Sequence, residues 1–90
     1  METKGVGINL YGKVQQVGFR YFVFKLASEV GVKGFVKNMH DGSVYVEAEG
    51  EPHQVDVFIE HCKIGPPHSQ VTRFNVVSIP EQGFQEFTIR

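Results

Sequence analysis

Gly12-Lys13-Val14-Gln15-Gln16-Val17-Gly18-Phe19-Arg20 joins two segments with different hydrophobic periods. Before it, Val6, Ile8 and Leu10 alternate with Gly7, Asn9 and Tyr11, the period of a strand with one buried face. After it, Phe19, Phe22, Val23, Leu26, Ala27 and Val30 recur at helical spacing and form one apolar stripe. A strand therefore feeds a glycine-bearing loop, and the loop opens a helix. Successive main-chain N–H groups can turn inward at such a junction, and the helix start adds partial positive charge. Arg20 contributes a planar, permanently charged fork suited to phosphate oxygens. The stretch reads as a site for a small dianion.

The remaining elements follow from the same periods. Gly31 stands where the first helix needs a left-handed end. Gly34-Phe35-Val36-Lys37-Asn38 reads as a second strand, and Met39-His40-Asp41-Gly42 as a turn, since Asp-Gly suits the positive φ angles of a tight hairpin. Val44, Val46 and Ala48 alternate with Tyr45, Glu47 and Glu49 in a third strand with one polar face. Gly50-Glu51-Pro52 starts a second helix, whose stripe is Val55, Phe58, Ile59 and Cys62. Gly65-Pro66-Pro67 stops it. Val71 to Ile79 is strand-like, with an irregularity expected where the apolar phase shifts between Phe74/Val76 and Val77/Ile79. Pro80-Glu81-Gln82-Gly83 turns, and Phe84 to Ile89 is a final strand.

The order is β-α-β-β-α-β with the last strand region split in two. It predicts an α+β sandwich, two helices on one face of a mainly antiparallel sheet. Element lengths then place one more polar group. The helix from Arg20 to Val30 descends about 16 Å at roughly 1.5 Å per residue. The strand from Lys33 to Asn38 climbs back about 20 Å at roughly 3.3 Å per residue. Asn38 thus returns to the height of Arg20, and its carboxamide can accept from a water while donating to an oxygen.

With 90 residues and a net charge of −1, the chain reads as one ordinary domain spanning residues 1–90. Its Lys and Arg are scattered, which argues against a broad nucleic-acid footprint. Cys62 is the single cysteine, so no internal disulfide is possible and the cytoplasm is the expected compartment. The first residues carry no long apolar run and read as free of a signal peptide. No segment approaches the roughly 20 apolar residues of a membrane span. His40, His53, His61 and His68 form no metal-ligand spacing, so neither a metal nor a cofactor is expected.

These residues resemble a known family. Gly12 to Arg20 is similar to the phosphate loop of the acylphosphatases, G-x-V-Q-G-V-G-F-R, and Gly34 to Asn38 is similar to their G-[WYF]-V-[RK]-N segment. Asp41-Gly42-Ser43-Val44 and Glu49-Gly50 also fit. The resemblance covers essentially the whole chain. It implies a ferredoxin-like sandwich that hydrolyses acyl phosphates to a carboxylate and phosphate, with Arg20 binding the phosphate and Asn38 positioning the attacking water. Gln16 departs from the pattern, standing where the family usually has Gly. If the position needs a positive φ, the substitution costs on the order of 1 kcal/mol or more, and the side chain narrows the loop. A working but weakened site is expected.

The chemistry agrees with the residues. The leaving carboxylate is stable without a proton, so no strong general acid is needed. Transfer through a loose transition state is catalysed mainly by positioning and charge stabilisation. Main-chain N–H groups of Gln15, Gln16, Val17, Gly18, Phe19 and Arg20 are the expected phosphate ligands, together with the Arg20 side chain. The expected partner is a small-molecule acyl phosphate, met by a monomer without nucleic acid or membrane. Two rivals share the element order: an RNA-recognition module and a regulatory ligand-binding sandwich. Either would suit a weakened loop, but Glu47 and Glu49 on the third strand would repel an RNA backbone.

Overall fold

The computed structural model describes residues 2–90. The alternation around Ile8 becomes β1 (Lys4–Lys13), and the apolar stripe becomes α1 (Phe19–Val30). β2 (Lys33–Asn38), β3 (Val44–Gly50), α2 (Pro52–Ile64), β4 (Gln70–Ile79) and β5 (Phe87–Ile89) follow. The sheet order is β4-β1-β3-β2-β5. All neighbours are antiparallel except β2 and β5, which run parallel. Val6, Ile8 and Leu10 of β1 and Val44, Val46 and Ala48 of β3 face the helices. They form one core with Val23 and Ala27 of α1 and Val55, Phe58 and Cys62 of α2. Both helices therefore lie on one face, in the ferredoxin-like α+β arrangement. Burial among these apolar groups pushes the Cys62 thiol far above its ordinary value, so it is inert packing.

Three local expectations need correction. The irregularity lies in β4 but not where the apolar phase shifts: Tyr11 and Gly12 of β1 face Arg73 and Val71, so Thr72 is the extra residue, and the pairing from Phe74 to Ile79 is regular. The apolar phase change has another cause. Val77 and Ile79 sit opposite Gly7 and Gly5, which have no side chains, so the two apolar residues fill that part of the open face.

The last strand is also shorter than expected. Residues 80–86 form a crossover over the open sheet face, and only Phe87–Ile89 pair with β2. The N–H groups of Gln82 and Phe84 donate to the Glu49 carboxylate at 2.8 and 2.7 Å. The Phe84 ring meets Phe35 edge-on at 5.9 Å. This crossover delivers β5 to the edge beside β2.

The hairpin between β2 and β3 differs as well. Only Gly42 takes a positive φ there, at 91°, while Asp41 does not. The connection is longer than two residues: Gly42 N–H donates to the Met39 carbonyl (3.2 Å) and Met39 N–H to that of Ser43 (2.8 Å). Such loops are built on a type I turn followed by a left-handed residue. Asp41 serves through its carboxylate, which accepts from the Ser43 N–H (3.0 Å) and hydroxyl (2.5 Å). Those bonds hold its pKa below the ordinary 3.8. A depressed folded value means the stabilisation is present above the ordinary carboxylate range and is lost as pH falls through it. Asp41→Asn is therefore expected to flatten the fall of melting temperature between about pH 5 and pH 2. An acid limb superimposable on that of the unsubstituted protein would contradict this role.

Candidate functional site

The loop between β1 and α1 is pinned at both ends. Val14 and Phe19 are each 1% exposed and belong to the core, while Gln16 and Gly18 between them are exposed. Gln16 and Gly18 are both left-handed, with φ of 62° and 78°. Gln16 therefore does occupy a position that favours glycine. Alternation of left-handed residues along a loop is the geometry in which successive N–H groups converge.

The two helix starts contrast sharply. At α2 the Glu51 carboxylate accepts from the N–H groups of His53 (3.1 Å) and Gln54 (3.2 Å), so that helix carries its own anion. At α1 the cap is Gly18, which has no side chain to accept, and no acidic residue lies in the first turn. Among the described residues, the N–H groups from Gln15 to Tyr21 have no acceptor within the protein. The first main-chain bond of α1 runs from Phe22 to the Gly18 carbonyl, at 3.0 Å. A helix start left open in this way is suited to an external anion.

Arg20 stands at this opening and is exposed. Its Nη1 donates to the main-chain oxygen of Arg90 at 3.2 Å, which leaves most of the guanidinium fork free. Among the described residues the side-chain ion pairs join Lys4 to Asp56 and Lys63 to Glu60, so no Asp or Glu side chain pairs with Arg20. Arg90 is itself held by its N–H, which donates to the Val36 carbonyl at 2.8 Å. The guanidinium thus leans on the strand that continues into Asn38.

Asn38 ends β2, half-buried and paired with Val44. Its carboxamide makes no hydrogen bond among the described residues. Asn38 and Arg20 line one cavity of about 260 Å³, together with Val14, Gln16, Gly18, Phe19, Tyr21 and Ile89. The juxtaposition expected from element lengths is therefore present. Among the described residues no Asp, Glu, His or Cys lines this cavity. Tyr21 and Ile89 give it an apolar rim, being 63% and 42% exposed.

Gln15 and Val17 are not among the lining residues. Val17 packs against the core. The Gln15 side chain turns to the hairpin, where Nε2 donates to the carbonyls of Met39 and Ser43, each at 2.8 Å. Sequence reasoning gave Gln15 a main-chain role only. The same climb of β2 that raises Asn38 to the loop also raises the carbonyls beyond it, and that was the available clue.

Comparison with known proteins identifies the family. The sequence model of one family, Acylphosphatase, matches residues 6–89. An acylphosphatase of Thermotoga maritima is 42% identical over 87 residues, covering 97% of each chain. One of Mannheimia succiniciproducens is 53% identical over 64 residues, covering 71% of each. The crystal structure of acylphosphatase from Bacillus subtilis superposes with a TM-score of 0.94 at 38% identity, covering 99% of both chains. The chain, from its first strand to its last, belongs to the acylphosphatase family.

Proposed function

We propose that this acylphosphatase cleaves the carboxyl–phosphate bond by in-line attack of water, with the phosphoryl group held at the start of α1. The observation that carries this reading is the meeting, across one cavity, of an uncapped helix start, an Arg20 with no Asp or Glu partner among the described residues, and a free carboxamide. The open N–H groups from Gln15 to Arg20 and the guanidinium fork hold the three phosphoryl oxygens. They stabilise the charge that gathers there as the bond to the leaving carboxylate lengthens. Asn38 orients the water. As the water oxygen bonds to phosphorus, the bond to the acyl oxygen breaks and its electron pair leaves with the carboxylate. The proton from water passes to a phosphate oxygen, since a carboxamide is no base. A cavity without carboxylate or imidazole fits a reaction that needs no general acid.

The substrate of this reading is a small acyl phosphate acted on by a monomer, and the single, buried cysteine Cys62 suits the cytoplasm. Glu47 and Glu49 of the open sheet face hold the 80–86 crossover, an arrangement that does not favour an RNA-binding surface.

Hydrolysis of benzoyl phosphate tests the roles separately. Arg20→Ala is expected to weaken inhibition by inorganic phosphate and turnover together, each by about 100-fold or more, the scale of a lost charge-assisted contact. Asn38→Ala is expected to lower kcat by about 100-fold while the phosphate inhibition constant stays within roughly 3-fold. Equal loss of phosphate affinity in both variants would contradict the division of labour. Gln16→Gly relieves a left-handed glutamine at the cavity wall. It is expected to raise kcat/KM several-fold and stability by about 1 kcal/mol at most, the relief being partly offset by glycine's greater freedom when unfolded. An unchanged rate would mean that the Gln16 side chain does not obstruct the substrate.

A further inference from the structure

We propose that the Gln15 side chain is a positioning residue: it fixes the spacing between the phosphate loop and Asn38, and so the distance from phosphorus to water. The inference rests on the reading that Asn38 orients the nucleophile.

The sheet cannot set this spacing alone. β1 and β2 are not neighbours, because β3 lies between them. Their two ladders to β3 end at the same residue, with Leu10 and Asn38 both opposite Val44. Beyond Val44, among the described residues, no strand pairing joins the loop side to the Asn38 side. The Gln15 carboxamide takes over at that point. Its two N–H bonds reach Met39, the residue after Asn38, and Ser43, the residue before Val44. Both bonds are 2.8 Å long and half-buried, where a lost partner is felt.

The part it grips is already a closed unit. Met39 N–H donates to the Ser43 carbonyl, Gly42 N–H to the Met39 carbonyl, and Asp41 holds Ser43. A single carboxamide across its mouth therefore moves the hairpin and Asn38 as one body relative to the loop. The chemistry at position 15 is restrictive. Two donors on one nitrogen are needed to serve two carbonyl oxygens. Glutamate would set a carboxylate against both, and methionine would fill the space with no donor.

A double-mutant cycle on full-length protein, with benzoyl phosphate as substrate and inorganic phosphate as inhibitor, reads this role. Gln15→Met is expected to lower kcat by about 10- to 100-fold with the phosphate inhibition constant within roughly 3-fold, because the anion site is left in place. In an Asn38→Ala background the same change is expected to cost less than about 2-fold, since the group it positions is gone. A loss that multiplies undiminished onto Asn38→Ala would overturn the proposal. So would a kcat unchanged in a folded Gln15→Met, or a rise in the phosphate constant equal to the fall in kcat. If Asn38→Ala alone leaves kcat intact, the water-placing reading fails first and this inference with it. The unsubstituted protein supplies a check that needs no variant. The Gln15 side-chain NH2 protons are expected to exchange with solvent at least about 10-fold more slowly than those of exposed Gln70. Equal exchange rates would show that the clamp is absent and the proposal wrong.

Discussion

Main-chain N–H groups at the start of a helix need acceptors, and among the described residues this fold withholds them at α1 and supplies them at α2. Glu51 closes α2 with its own carboxylate. Gly18 cannot close α1, because it has no side chain and sits left-handed at φ 78°. The positive end of the helix dipole, the open N–H groups and the charge of Arg20 therefore coincide with no Asp or Glu side chain paired to them among the described residues. Gln16 adds a second left-handed position, held at a cost on the order of 1 kcal/mol. Backbone strain of this kind persists where the surrounding structure over-determines it, and the buried anchors Val14 and Phe19 on either side do so here.

The rest of the chain holds other groups at fixed distances from that opening. β2 lifts Asn38 to the height of the loop, and β3 ties β1 to β2 as far as Val44. The crossover strapped to Glu49 brings β5 in parallel to β2, and the main-chain oxygen of Arg90 then accepts one N–H of Arg20. A guanidinium restrained on one side and free on the other is pre-oriented toward the cavity, which reduces the reorganisation left to the reaction step. Chemistry that relies on placement in this way needs few reactive side chains. Among the described residues the cavity lining accordingly has no Asp, Glu, His or Cys, and its rim is formed by Tyr21 and Ile89.

Much of this was legible in the residues. The switch of period at Gly12 identified β1 and α1, and the descent of α1 against the climb of β2 placed Asn38 beside Arg20. Local periodicity was sufficient because each of these facts depends on one element or on two adjacent ones. The facts that escaped are long-range or side-chain specific. Val77 and Ile79 look out of phase until Gly5 and Gly7 are known to lie opposite them. The carboxylate of Asp41, not its backbone, shapes the hairpin. The hold of Gln15 on Met39 and Ser43 requires the loop conformation as well as the position of the hairpin. The Arg90 contact depends on a crossover whose course no periodicity encodes.

The open helix start is tested most directly by titrating isotopically labelled protein with inorganic phosphate and following its backbone amides by NMR. The account predicts saturable shifts concentrated between Gln15 and Tyr21, with His53 and Gln54 at the carboxylate-capped start of α2 unmoved. Shifts of equal size at both helix starts, or none in the loop at saturating phosphate, would contradict it.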